Sequence, residues 1–214
     1  CSVALRVASY SIKSGLPVNG LIRDTIFSQF VGGQTLEETA VVAKKLKEYN
    51  VQVILDYGVE GGDDGEHGFD HATKEFIRVI EYAATQSNIP FMSIKVTGFA
   101  RFTLLEKLDH MMNHNSGTLM KRYLKAIDDL QPDEREEWHR VRRRMMYICE
   151  TAAEKKVSVL VDAEETWIQD PVDALTILVM DAFNKERVIV YNTIQLYRRD
   201  RLQFLKDSWV AAEE

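Results

Sequence analysis

The chain has 214 residues, 45% hydrophobic and 28% charged, with only 11 Gly and 4 Pro, which excludes a disordered, collagen-like or linker-rich polypeptide. Its 27 Lys and Arg against 33 Asp and Glu leave a formal net charge of −6, so it has no overall positive field with which to hold nucleic acid or anionic lipid. Two cysteines, Cys1 and Cys149, cannot build the disulfide framework of a small secreted domain, and neither a membrane-length apolar run nor a signal-peptide pattern is present. A soluble chain in a reducing, cytoplasmic compartment is expected. Its start at Cys1 rather than Met points to a longer protein that has been trimmed.

The first 49 residues predict a helical segment. Val3, Leu5, Val7 and Ile12 precede Gly15 and Pro17; a second helix is capped by Asn19 and stopped by Gly32-Gly33; a third opens on the capping box Thr35-Leu36-Glu37-Glu38 and runs to Tyr49. From residue 50 the period changes. The run Val51 to Tyr57 reads as a buried strand followed by a Gly- and Asp-rich loop from Gly58 to Gly68, then a helix from about Asp70 to Gln86 ended by Asn88-Ile89-Pro90. Further strands are predicted over Phe91 to Thr97, Val157 to Ala163 and Val188 to Ile194, each followed by a helix. The intervening stretch, about 98–156, reads as a helical insert. Thr103 to Glu106 forms a capping box there, and Trp138, Val141, Met145, Ile148 and Ala152 repeat along one long helix. Strands alternating with helices define an α/β protein with a parallel sheet, and the (βα)8 TIM barrel is the leading architecture. Residues 50–214 then hold four βα units, a partial barrel.

Polar residues interrupt the apolar strands near their C-terminal ends: Asp56, Lys95, Asp162 with Glu164, and Gln195 with Tyr197. In parallel α/β proteins those ends form the ligand-binding face. The members of each pair are two residues apart and so project to the same side of their strand. A lysine in the run Ser93 to Thr97 needs a carboxylate or an anionic ligand, since a buried unpaired charge is costly. Spacing leaves open whether Lys95 serves a ligand or an internal ion pair with Asp162 or Asp56.

Elsewhere the residues favour structural roles. His67 and His71, among Asp63, Asp64, Glu66 and Asp70, lack a compact metal-ligand spacing and read as a surface loop, so no metal is expected. Arg140, Arg142, Arg143 and Arg144 share their helix with Glu134, Glu136 and Glu137, which predicts a solvated charged face. Arg198, Arg199 and Arg201 around Asp200 either reach a phosphate or form ion pairs at a helix start. Cys149 reads as a packed small hydrophobe. No Ser/His/Asp set, P-loop or Gly-x-Gly-x-x-Gly occurs.

Five segments in order resemble the proline dehydrogenase family, particularly its monofunctional bacterial branch: Phe30 to Glu38, Ile54 to Gly61, Ser93 to Thr97, Val161 to Trp167 and Tyr191 to Asp200. The resemblance implies a distorted (βα)8 barrel that binds FAD and oxidises L-proline to Δ1-pyrroline-5-carboxylate, passing electrons to a quinone. It implies a cytoplasmic enzyme, peripheral at the inner membrane, or a mitochondrial one in a eukaryote. Carried over by residue, Lys95 resembles the lysine that holds the substrate carboxylate. Asp162 resembles the aspartate near substrate and flavin, Gln195 the glutamine that hydrogen-bonds the flavin ring, and Tyr197 is its neighbour on the cofactor side. The family's later Arg-Gly-Ala-Tyr-like and Tyr-x-x-Arg-Arg segments do not occur, so the chain reads as the N-terminal half of such an enzyme. The rival expectation is an inactive half-barrel that acts only through association with itself or with the missing C-terminal half. A metal-dependent lyase or hydrolase built on Asp162, Glu164 and His67 is a third reading.

Overall fold

Four short apolar runs become strands β1 (Ile54–Asp56), β2 (Phe91–Ile94), β3 (Ser158–Val161) and β4 (Val190–Asn192). They pair side by side in chain order, all parallel. In register, Leu55, Met92, Val159 and Val190 form a row across the sheet, and every one is buried. Helices α2 (Gly65–Ala84), α5 (Pro132–Lys155) and α6 (Gln169–Phe183) pack on that face. The adjacent row, Asp56, Ser93, Leu160 and Tyr191, belongs to the opposite face, where Ile54 is 53% and Tyr191 36% exposed. This is the arrangement of consecutive βα units in a barrel-type α/β fold: a dry outer face under helices and an inner face that is still wet.

The computed structural model describes residues 20, 23–58 and 65–213, and the chain falls into two compact units, Cys1–Gln52 and Val53–Glu214. In the first, helical turns over Arg23–Phe27 and Ser28–Phe30 precede helix α1 (Leu36–Glu48). Thr35 caps α1 by accepting from the Glu38 amide at 3.2 Å, as the capping box predicts, but the Glu38 carboxylate reaches the Gln34 amide, at 2.9 Å, instead of that of Thr35. Gly33 permits this close start, because a Cβ there would lie 2.7 Å from both Glu38 Cβ and the Thr39 nitrogen. The helix expected over Val3 to Ile12 and the Asn19 cap lie outside the described residues.

In the second unit every strand is shorter than its apolar run. The chain leaves the sheet after Ile94 in a 3-10 turn, Val96–Gly98, and after Val161 in a loop, so Lys95 and Asp162 stand one residue beyond their strands. Helix α2 starts at Gly65 rather than near Asp70, because Glu66 and Asp70 find arginines on α5. The helical insert is present as α3 (Phe102–Asn113), α4 (Leu119–Asp128) and α5. The box expected at Thr103 is not a cap. Helix α3 begins at Phe102, and the Thr103 hydroxyl accepts from Arg101 at 2.6 Å. The capping box of the insert is Gln131 with Glu134, ahead of Pro132 at the first position of α5. Trp138 and Tyr123, both buried, join α5 to α4 through a 2.8 Å Nε1–H to hydroxyl bond.

The arginine run of α5 divides. Arg142 and Arg143 face solvent as expected, whereas Arg144 is buried, 2.8 Å from Asp70, against Glu66, and 3.3 Å from the Phe99 carbonyl. Arg140 joins it on Glu66 at 2.8 Å. The expectation of a wholly solvated face is therefore corrected, since helical geometry sends position 144 to the same side as Val141, Met145 and Ile148. Cys149 is a buried core residue whose thiol burial pushes up to about 12. It should resist alkylation at pH 8 in the native protein and react only after unfolding, as peptide mapping would report; native-state labelling would contradict its burial.

Candidate active site

Three strand ends deliver one charged cluster. Asp56 closes β1, Lys95 follows β2 and Asp162 follows β3, and Lys95 Nζ lies 3.5 Å from Asp56 Oδ2 and 3.5 Å from Asp162 Oδ2. The ion pair that spacing left open thus exists, and it involves both carboxylates. Burial alone would pull the Lys95 ammonium down, but the two carboxylates outweigh it and hold Lys95 above the ordinary lysine value. The cluster carries one positive and two negative charges within reach of solvent, since the Lys95 side chain is 38% exposed. Ser93, two residues before Lys95 on the same face, donates its hydroxyl to Asp162 Oδ2 at 3.1 Å.

Beside the cluster an open cleft of about 960 Å³ lies along the C-terminal ends of the strands, lined among others by Lys95, Thr97, Arg101, Glu164, Trp167 and Tyr197. Trp167 and Tyr197 are 55% and 77% exposed, two large aromatic faces turned to water. Glu164 is the most enclosed acid of the cleft. Its carboxylate accepts from the Thr97 amide at 3.1 Å and from the Thr97 hydroxyl, yet burial still holds its pKa above the ordinary carboxylate value. Asp162 and Glu164 both turn toward the Ser93 to Thr97 segment, but from a loop rather than from a strand.

Lys95 and Tyr197 therefore line one cleft, and Asp162 stands beside it on Lys95. Gln195 does not line it: it is buried, donating from Nε2 to the Glu164 carbonyl and accepting at Oε1 from Arg198 at 3.2 Å. Arg198 and Arg201 both pair with Asp200 at the start of α7 (Arg201–Glu213), which is the ion-pair reading of that segment. Burial would raise Asp200, but Arg201 and Arg198 bring it down to about 2. His67 and Asp70 lie on α2, where Glu66 and Asp70 are taken by arginines; Asp63 and Asp64 lie outside the described residues. Among the described residues no group of three or more His, Cys, Asp and Glu is placed to hold a metal ion. Residues that sequence reasoning missed are Ser93, Thr97, Gln169 and Asp173. Ser93 was findable from its period-two spacing to Lys95, whereas Gln169 and Asp173 show only an ordinary four-residue helical step.

A parallel α/β chain of barrel type, with a charged cluster and an open cleft at the strand C-termini, is the class these features define. Within that class the chain belongs to the proline dehydrogenase family, whose model, described as "Proline dehydrogenase", matches residues 40–214. The chain is 28% identical over 218 residues to proline dehydrogenase 1, mitochondrial, of Dictyostelium discoideum, covering 91% of this chain and 38% of that protein. It is 29% identical over 208 residues to the carbapenem antibiotics biosynthesis protein CarD of Pectobacterium carotovorum subsp. carotovorum, covering 97% and 51%. Among solved structures, proline utilization A from Bdellovibrio bacteriovorus, inactivated by N-propargylglycine, superposes with a TM-score of 0.60 at 16% identity over 88% of this chain and 19% of that one. That likeness carries the fold. The chain thus spans between about a third and a half of the length of these two curated relatives. Among the described residues no helix is long and apolar enough to cross a membrane.

Proposed function

We propose that the chain supplies four βα units and part of the active site of a FAD-dependent proline dehydrogenase, which oxidises L-proline to Δ1-pyrroline-5-carboxylate and passes the electrons to a quinone. The observation that carries this reading is Lys95 held between Asp56 and Asp162 beside the open cleft, in a chain that belongs to this family. Proline is a zwitterion. Its carboxylate complements the Lys95 ammonium, and its ring ammonium complements the two carboxylates that flank that lysine, so one ligand satisfies both signs of the cluster.

The cleft also suits a flavin. Trp167 and Tyr197 offer exposed aromatic faces, whereas Gln195, which the resemblance assigns to the flavin ring, is buried outside the cleft lining with one amide hydrogen on the Glu164 carbonyl and the other free for a further acceptor. When bound, FAD supplies the hydride acceptor, chemistry that side chains lack. The residues of this chain orient and screen: Lys95 fixes the carboxylate end of proline, Asp162 lies where substrate and cofactor meet, and the aromatic rim excludes water. A visible spectrum of the whole protein containing this chain tests the reading. Flavin absorbance bleached by L-proline is expected; a protein that takes up no FAD, or whose flavin proline leaves unchanged, overturns it.

In that protein Asp162→Ala should lower kcat by roughly tenfold to a hundredfold, the value of one charge-assisted contact, whereas Glu150→Ala, exposed on α5, should leave it unchanged. Equal effects of the two changes in steady-state assays would reduce Asp162 to a structural residue.

A specific observation favours a second reading for the isolated 214 residues. Among the described strands β1 and β4 each have one unpaired edge, Ile54 and Tyr191 of the inner face are exposed, and α7 turns Leu202, Trp209 and Val210 to solvent. Open edges beside apolar surface drive association. Light scattering should therefore report a mass above that of a single chain, and a monodisperse monomer would show that these edges are protected.

A further inference from the structure

After β3 the peptide groups leave the sheet stepwise: the Asp162 amide still donates to the Ile94 carbonyl at 2.9 Å, whereas the Ala163 amide already donates to a side chain, the Thr193 hydroxyl. At Glu164 both peptide groups pass to side chains. Its N–H donates to Gln169 Oε1 at 2.8 Å and its carbonyl accepts from Gln195 Nε2.

Those two amides are the ends of one closed circuit. From the amide side, Gln169 Nε2 donates to Asp173 Oδ1 at 2.9 Å, and Arg201 donates to the other oxygen of Asp173. Arg201 also grips Asp200 at 2.7 Å, and Asp200 accepts from Arg198 at 2.8 Å. Arg198 then donates to Gln195 Oε1 at 3.2 Å, and Gln195 returns to the Glu164 carbonyl. The deep arc is dry: Gln169 and Asp173 are each 1% exposed and Arg201 5%.

Its chemistry is directional and balanced. Each glutamine must accept on one side and donate on the other, which an amide does and a carboxylate cannot. Two acids alternate with two arginines, so the circuit is neutral and its buried charges are compensated. It does not touch Lys95, and it meets the cleft at Glu164, whose two peptide groups close it. What it holds is the loop that carries Asp162, the acid that faces Lys95.

We propose that Gln169, with Asp173 and Arg201 behind it, is a positioning residue, which through this circuit sets the Asp162 to Glu164 loop and hence the spacing of Asp162 from Lys95. The proposal rests on Lys95 and Asp162 being the reacting site, but its test needs neither flavin nor proline.

In the whole protein containing this chain, Gln169→Met keeps the bulk at position 169 and breaks both of its bonds. Two NMR readouts follow: hydrogen exchange at the Glu164 amide, and the titration of Lys95 by side-chain nitrogen and carbon shifts. Exchange at Glu164 should rise roughly tenfold, the loss of one hydrogen bond, and Lys95 should titrate at lower pH as Asp162 moves away. Val179→Ala is the control. It opens a cavity in the same helix at a 1% exposed site outside the circuit, and should leave both readouts at their wild-type values.

The proposal is overturned if Gln169→Met leaves both readouts unchanged, or if Val179→Ala moves them equally. Should Gln169→Met fail to fold, Arg198→Met opens the circuit at its less buried arc and is read in the same way. Failure of proline oxidation in the whole protein, with these shifts intact, would remove the reaction and leave the positioning in place.

Discussion

Arg201→Met is expected to destabilise the protein by about 3–5 kcal/mol, because it leaves the buried Asp173 carboxylate without its cation. Arg201 is 5% and Asp173 1% exposed, and the guanidinium also reaches Asp170 at 3.5 Å and lies over the Phe204 ring at 4.9 Å. For a chain of this size such a loss lowers Tm by on the order of 10 °C. The sign with pH is fixed. Burial holds Asp173 above the ordinary carboxylate value even beside Arg201, so in the variant its folded-state pKa rises further. A raised carboxylate costs nothing below its unfolded value and a growing amount as pH climbs through the folded one. Thermal melts should therefore show a gap between variant and wild type that widens from acid to neutral pH. Adding Asp173→Asn, which removes the charge but keeps the acceptor for Gln169 and Asn192, should recover much of the loss at neutral pH. A double variant no more stable than Arg201→Met alone would show that the pair is not the source of the effect.

That ion pair marks where sequence reasoning stopped. Strand runs around Leu55, Met92, Val159 and Val190 were legible because β-branched and apolar residues buried on the helix side leave a continuous signal. The long helix through Trp138 and Ile148 was legible from its three- and four-residue repeat. Lys95 stood out for the same reason in reverse, as a charge placed where apolar residues are expected. What stayed hidden depends on contacts between distant segments. Arg144 looked like its exposed neighbours, and only the approach of α2, which brings Glu66 and Asp70, makes it a buried residue. Thr103 carries a capping pattern, yet the hydroxyl is taken by Arg101 and the helix starts one residue earlier. Gln169 and Gln195 are separated by 26 positions and meet only at the two peptide groups of Glu164. Gln195 stood out by its place after an apolar strand run, but an amide carries no charge pattern and no periodic signature, so nothing local distinguishes Gln169 from a solvent-facing glutamine or shows that the two share Glu164.

Lys95→Met in the whole protein should raise KM for proline by roughly tenfold to a hundredfold, the cost of losing one charge-assisted hydrogen bond to a carboxylate, while disturbing FAD content far less. Lysine is the only cation within salt-bridge distance of Asp56 and Asp162 among the described residues. Its loss therefore does two things to an incoming zwitterion. The substrate carboxylate loses its attractive partner and faces two acids no longer neutralised, a loss that their attraction for the ring ammonium offsets only in part. Both act on binding at the charged end of proline, whereas the exposed aromatic faces of Trp167 and Tyr197 in the same cleft are left unchanged, so the flavin should be retained. Methionine preserves length and apolar stem, which limits the change to the ammonium. Steady-state kinetics against proline concentration, with flavin content measured on the same preparation from its visible absorbance, separates the two effects. A variant that loses its flavin while proline affinity is unchanged would move Lys95 from the substrate to the cofactor, and the zwitterion argument would fall with it.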